Sequence, residues 1–393
     1  MKKLIGLALA VLVASVAAAT ASAGSQVAAS SQAVSCNGTL KIALVTPLTG
    51  GAGFLGEQQG SWAKYAVKTL AKPLGLKIQL VLGDTPVEQG AAVAQTLAQK
   101  YVGDPRVLGV IGPATSGSAV ASTKTYQQAG IVQISPSATR TTLTKAAPTL
   151  EGTPSFFRVV PGDYIQGPTD AHYMIDKLKA KKVVIIDFQE PYSTGLADAA
   201  QSVLKAAGVS VTRLSAPNTT TDYSAYVTKV PSDADIVFFP TQKPGDAQTF
   251  AQQLIEQGKK AKVFGSDGSN DSTAFKVPGS YVSNFAPDIT AIAADKSVIA
   301  GWKKDNPGKP VGSFGPPAYG AVQVMLNAIK KACVVDHGVI KQKRDVLRQM
   351  KKVRINNWIL GGSFRFSTKS NDPLNAKFYI FQIQSNGSYK LVG

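Results

Sequence analysis

The strongest constraint on how this chain can fold is its alternation of short, unbroken apolar runs with helix-length segments, clearest over residues 107–139. There Val107–Ile111 ends in a Gly112-Pro113 turn, and a cluster of hydroxyl residues opens a helix-compatible segment from Ser116 to Ala129. A second apolar run, Ile131–Ile134, then ends in Ser135-Pro136-Ser137-Ala138-Thr139. Runs that are apolar at every position suit strands buried on both faces, as in parallel sheets. A crossover between parallel strands brings their carboxyl ends to one edge. Ser116, Ser137 and Thr139 are therefore expected side by side. Hydroxyls together with the unpaired N–H groups of a helix start suit a small carboxylate. No base accompanies them, so the pattern reads as one that holds a ligand.

The same alternation runs through most of the chain. Strands are expected at Leu40–Thr46, Lys77–Leu82, Lys182–Asp187, Val209–Leu214, Ile236–Phe239 and Ala261–Phe264, separated by helical segments such as 57–72, 87–102, 163–178, 196–207, 222–230 and 247–257. Further helices are expected near 296–304 and 318–334, and antiparallel strands at Gly362–Phe366 and Phe378–Gln384. The break after Phe156–Pro161 divides the pattern into two α/β units of the same plan. Such units place a cleft at the strand carboxyl ends, where open α/β sheets bind ligands.

Residues 1–23 have the form of a secretion signal: Lys2 and Lys3, an apolar stretch from Leu4 to Ala19, and Ala21-Ser22-Ala23 as the cleavage site. Residues 24–39 are rich in Ser, Ala and Gly and are expected to form a flexible tether. The net charge is +18, or +16 without the two signal lysines. Scattered basic residues on an exported chain argue against nucleic acid. The densest run, Lys341–Arg354, reads as a helix with a solvated basic face, or as a surface attracted to an anionic membrane or a permease. Two cysteines in an exported chain invite a Cys36–Cys333 disulfide, the other reading being lipid on Cys36.

The segment Gly112 to Ser118, with its G-x-x-x-S-x-S pattern, and Ile134 to Thr139, with I-[ST]-P-x-A-T, resemble the type I periplasmic solute-binding proteins. The branch is that of the leucine/isoleucine/valine-binding proteins serving ABC transporters, and the resemblance extends from about Leu40 to Ile383. It implies two doubly wound, Rossmann-like α/β lobes joined by crossing hinge strands. Lobe one would comprise 40–159 plus 286–358, and lobe two 160–285 plus 359–393. It further implies a monomer outside the cytoplasm, periplasmic or held at the cell surface, that closes on a small amino acid or amide and delivers it to an ABC permease, with no cofactor, no metal and no reaction. A sensing subunit for a membrane receptor would use the same cleft.

By this resemblance Ser116, Ser137, Ala138 and Thr139 hold the α-carboxylate and α-ammonium of the ligand, and Asp267 completes the ammonium site from lobe two. Tyr192, in Pro191-Tyr192-Ser193-Thr194-Gly195, covers the ligand, with Ser193 where the family has Gly. Tyr319 matches a position near the cleft mouth. Leu55 and Gln242 stand where members selecting branched side chains carry aromatics, which implies a pocket for a polar or larger side chain.

Other chemistry finds little support. Gly51-Ala52-Gly53-Phe54-Leu55-Gly56 has the form of a dinucleotide fingerprint with Asp84 beyond it, but Pro47-Leu48-Thr49 make the strand-to-glycine connection too long for the tight turn. His172 and His337 are the only histidines and G-x-S-x-G is absent, which argues against an exported hydrolase.

Overall fold

The computed structural model describes residues 33–144 and 154–393. The signal peptide expected at 1–23 and the first part of the tether lie outside the described residues. A short strand β1 (Val34–Ser35) precedes the first α/β unit: β2 (Thr39–Thr46), α1 (Gly53–Leu70), β3 (Lys77–Asp84), α2 (Gly90–Gly103), β4 (Val107–Ile111), α3 (Ser116–Gln128), β5 (Val132–Ser135) and β6 (Phe156–Arg158). Its five strands are parallel in the order β3-β2-β4-β5-β6.

The chain then crosses to a second unit: α4 (Asp163–Asp176), β7 (Lys182–Asp187), α5 (Pro191–Ala206), β8 (Ser210–Ser215), α6 (Ser224–Thr228), β9 (Ile236–Phe238), α7 (Pro244–Glu256), β10 (Lys262–Phe264) and β11 (Tyr281–Asn284). After β11 it returns with α8 (Lys296–Asp305), α9 (Gly315–Val335), β12 (Val339–Ile340) and α10 (Arg344–Leu347). It crosses a third time to β13 (Tyr379–Ile383) and β14 (Tyr389–Leu391), which extend the second sheet antiparallel to give β14-β13-β11-β10-β9-β7-β8. Both sheets reverse direction beside their first strand, at β2/β4 and at β7/β9. These are the switch points where strand-end loops diverge and leave a crevice. The molecule is two doubly wound α/β lobes joined by three crossings.

Helix α9 is the axis of the first lobe. It packs on α1, and its Met325 thioether fills the space above Gly109 of β4, where an added Cβ would meet Met325 Sδ at 2.4 Å. Trp62 of α1 stacks on Trp302 at 4.7 Å between ring centroids, and Gly315 passes so close to Trp62 that only glycine fits.

Three expectations need correction. Residues 33–39 are not a tether: β1 pairs antiparallel with β12, and Cys36 is bonded to Cys333. That bond also excludes lipid on Cys36. The strand expected at Gly362–Phe366 is reduced to two isolated bridges, Ile355 with Phe364 and Phe366 with Pro373, and Gly361 and Gly362 before them take left-handed φ values of 94° and 69°. Finally, Ile359, Phe364, Phe366 and Phe378, expected with lobe two, pack in the apolar core of lobe one, and the chain joins the second sheet only at Tyr379.

Candidate ligand-binding cleft

The strand-end loops of the two lobes face each other and touch. Arg140 Nη1 donates to the Pro191 carbonyl at 2.6 Å, Asn218 Nδ2 to the Val87 carbonyl at 3.3 Å, and Ser313 Oγ to Asn270 Oδ1 at 3.3 Å. Gly51, in the glycine-rich loop after β2, lies against Lys243 of lobe two so closely that a Cβ would come within 2.6 Å of the Lys243 side chain. That loop lines the cleft and is no dinucleotide turn.

On the lobe-one side, Thr115 caps α3, its hydroxyl accepting from Ser118 N at 3.4 Å. Ser116 opens the helix and its Oγ accepts the backbone N–H of Arg140 at 3.2 Å. Ser137 does not present a free hydroxyl. It donates to the Ala114 carbonyl at 2.6 Å and accepts from Gln59 Nε2 at 2.8 Å, while Gln59 Oε1 accepts from Thr46. This chain ties α1 to two strand-end loops, so Ser137 braces the site. Ala138 packs its methyl group with Ala119, Leu143 and Phe156, and its carbonyl accepts from Arg158 Nη1 at 3.3 Å. Arg158 is fully buried, paired with Asp372 at 2.6 Å, and also donates to the Arg140 carbonyl and Thr144 Oγ1. Burial would raise the Asp372 carboxyl, but Arg158 beside it holds it below its ordinary value. The result is a rigid 138–144 loop.

Thr139 is the residue this frame leaves exposed to new chemistry. Its carbonyl accepts from Asp163 N at 2.8 Å, yet its Oγ1 is buried without a hydrogen-bond partner. Both carboxylate oxygens of Asp163, at the first turn of α4, are likewise unpartnered in a side chain with 0% exposure. Buried polar groups are normally satisfied, so such a grouping calls for a partner. Burial pushes the Asp163 carboxyl up to about 7. The Thr139 hydroxyl, near but outside hydrogen-bond geometry, tempers this shift, the Asp267 carboxylate adds to it, and Arg158 and Arg140 oppose it.

On the lobe-two side, the side chains of Tyr192 and Asp267 are in contact. The Tyr192 hydroxyl donates to Asp267 Oδ1 at 2.6 Å, lies 2.7 Å from Ser266 Oγ and accepts from Gly268 N at 3.2 Å. Gln166 Nε2 also donates to Asp267 Oδ1, at 2.7 Å, and to Ser283 Oγ at 3.0 Å. Asp267 is pushed up to about 6 by burial, with the Tyr192 and Gln166 hydrogen bonds pulling back. Behind it, burial raises Asp170 well above the ordinary carboxylate range; Ser283 pulls back, while Asp267 and Asp163 add to the shift. The Asp267 Oδ1 is thus already committed, whereas Asp163 is not.

Two of the helix N-termini at the cleft, those of α5 and α3, differ in how they are capped. α5 is capped by its own carboxylate: Glu190 accepts from Tyr192 N at 2.8 Å and Ser193 N at 2.6 Å. α3 is capped by the neutral Thr115. A second anion would be repelled at α5 and attracted at α3. Glu190 is itself raised by burial, its backbone hydrogen bonds, Gln242 and Arg140 pulling back. Gln242 lines an interlobe cavity of about 570 Å³, with Val87, Ala91, Val120, Ala121 and Pro191 among its apolar walls.

Two expected residues fall elsewhere. Tyr319 packs edge-on against Trp62, with ring centroids 6.1 Å apart, in the aromatic core of lobe one. Leu55 is buried in the same core one turn before Gln59. Sequence reasoning missed Asp163, Gln166, Arg140 and Arg158. The signal was present in Arg158-x4-Asp163-x2-Gln166, which follows the third apolar run as Ser116 and Thr139 follow theirs.

The family model described as periplasmic binding protein matches residues 39–388. The chain belongs to that family. An amino acid binding protein of Pseudomonas aeruginosa is 31% identical over 289 residues, 71% of this chain and 73% of its own. A Leu/Ile/Val-binding protein of Rhizobium johnstonii is 30% identical over 302 residues, 75% of this chain and 79% of its own. Among solved structures, a leucine-binding protein of Thermotoga maritima superposes with a TM-score of 0.78 at 22% identity, covering 90% of this chain and 98% of its own, which supports the fold. The family is one of solute-binding proteins, and the chain's role is solute binding.

Proposed function

We propose that this periplasmic binding protein is exported by its N-terminal segment, captures a small α-amino acid or amide between its lobes by hinge closure, and delivers it to an ABC permease. The observation that carries this reading is the buried set of Thr139 Oγ1 and both Asp163 oxygens, polar atoms without partners at the meeting point of the lobes. A ligand ammonium placed there gains three acceptors, and its desolvation is offset by a carboxylate. The ligand carboxylate goes to the neutral-capped start of α3, beside Ser116, since Glu190 already occupies the start of α5. The side chain extends toward the cavity bounded by Val87, Val120 and Gln242. The names of the relatives agree with an amino acid, and Gln242 favours a side chain with some polarity.

A thermal-shift panel of amino acids, their amides and their deaminated or decarboxylated analogues tests this. α-Amino acids should raise the melting temperature, and analogues lacking either charged group should not. Equal stabilisation by a deaminated analogue would refute the ammonium assignment.

A further inference from the structure

The face of lobe one opposite the cleft carries features that solute capture does not use. Strands β2, β3, β4 and β5 are parallel, so their starts share one edge, and the C-terminal ends of α2 and α9 lie there with them. The basic run 341–354, with seven basic residues against one acidic, folds onto this edge. Lys343 is spent on structure: its ammonium donates to the carbonyls of Tyr101, Val102 and Asp104 at 3.2, 2.8 and 2.7 Å, closing the end of α2, and burial lowers it to about 8. The neighbouring Lys341 and Arg344 are exposed, as is Lys100 at the end of α2, and Arg344 stands over Gly130 just before β5.

Amid these cations lie exposed apolar side chains. Val334 and Val335 at the end of α9 are 63% and 58% exposed, and Val339 of β12 is 37% exposed. The described chain also starts here, since β1 is paired to β12 and Cys36 is bonded to Cys333. Residues 1–32, including whatever remains after export, therefore join the protein at this pole.

We infer that this pole of lobe one docks on an anionic lipid bilayer surface, the exposed lysines and arginines meeting lipid headgroups and the Val334–Val335–Val339 patch touching the interface. Juxtaposed basic and apolar groups at one surface suit an anionic membrane, where basic residues gain attraction within a Debye length. Such docking holds the cleft facing away from the bilayer, open to solute. It makes no use of the ligand site, so it stands or falls independently of the ligand.

Vesicle co-sedimentation of the chain from residue 24 tests it, using phosphatidylcholine vesicles with and without about one-third phosphatidylglycerol. Binding is expected to the anionic vesicles only and to be lost at high salt. The triple variant K100E/K341E/R344E should bind at least tenfold more weakly while keeping its melting temperature and its ligand response. V334S/V335S should weaken binding further at moderate salt. A control triple reversal of exposed lysines on lobe two, K229E/K260E/K276E, should leave binding within twofold. Absence of binding to anionic vesicles at low salt, or an equal loss from the lobe-two control, would overturn the inference. So would wild-type vesicle binding by the pole variant, even if it failed to engage the permease, because the pole would then be a protein-docking face.

Discussion

Replacing Asp163 by Asn should change stability and binding in opposite directions. With the lobes in contact the Asp163 carboxyl is buried, has no hydrogen-bond partner and sits at about 7 rather than its ordinary 3.8. The folded state therefore binds more protons than the unfolded state between those values. Stability contributed by this group is intact at and below about pH 4, falls as pH rises through that window, and stays low above pH 7. Roughly three pKa units correspond to about 4 kcal/mol lost by pH 8. Asn keeps the shape without the charge, so the empty Asp163→Asn protein should be more stable at pH 8 by as much as a few kcal/mol. At pH 4 it should be close to wild type.

Ligand binding should respond the other way. Loss of a buried charge partner for the ligand ammonium costs on the order of 2–5 kcal/mol, a roughly 25- to 4,000-fold weakening. In wild type the ligand must also displace the proton from Asp163, so affinity at pH 6 should be about tenfold weaker than at pH 8. The Asn variant should lack that slope. Calorimetric titration at pH 6 and 8, with the tightest ligand from the thermal-shift panel, reads the binding side, and urea unfolding at pH 4 and 8 reads the stability side. An Asn variant that binds as tightly as wild type, or that is no more stable at pH 8, would show that Asp163 is not the waiting partner.

Other consequences follow from the same geometry. Thr139→Val removes the second unpartnered acceptor and should weaken ligand binding by about 1–3 kcal/mol in calorimetry while leaving the fold intact. Gly195→Val should abolish or strongly weaken binding, because even a Cβ at this position lies 3.1 Å from Arg140 Nη1 and 3.2 Å from Asp163 Oδ2; unchanged affinity would mean the ligand does not approach this corner. Paired Cys36→Ala/Cys333→Ala substitution opens a closure spanning 297 residues and should lower unfolding free energy by about 2–5 kcal/mol, with no free thiol in the exported wild type by mass spectrometry. Small-angle scattering should show a smaller radius of gyration with ligand than without, since residues from both lobes face one small molecule; identical curves would argue for a preclosed pocket.

The fold was legible because it is written in the dominant pattern. Unbroken apolar runs such as Val107–Ile111 and Val183–Ile186 are buried on both faces, and they alternate with helices at the spacing a parallel sheet requires. The site was only half legible. Tyr192 and Asp267 each follow a strand, which places them at the carboxyl edge of the second sheet, but their hydrogen bond to each other was not legible. Ser137 could not be placed, because its role is set by Gln59 on a helix 78 residues earlier in the chain. Tyr319 reads equally well as cleft or core, and only the packing of Trp62 and Tyr65 against it decides. Asp163 was hidden in a different way. A Pro-Gly-Asp sequence at a helix start reads as an ordinary turn, and its proximity to Thr139 depends on β6 delivering the chain across the hinge to α4.

That crossing also sets where the two charged ends of the proposed ligand are received. The segment from Arg158 to Asp163 leaves the first sheet at the same edge where β4 and β5 end, so α4 starts beside their loops instead of across the cleft from them. Arg158 fixes that loop by using its guanidinium on Ala138, Arg140, Thr144 and Asp372. The positive charge is thus consumed locally, and the Asp163 carboxylate remains the nearest uncommitted charge. Glu190 meanwhile caps the start of α5, which would otherwise attract an anion. With α3 capped by a neutral side chain and the uncommitted carboxylate at the start of α4, the proposed zwitterion has an orientation in which each of its charges meets its complement. On the proposed placement the side chain enters the cavity walled by Val87, Ala91 and Val120 of lobe one and by Pro191 and Gln242 of lobe two, so discrimination among amino acids falls to residues of both lobes.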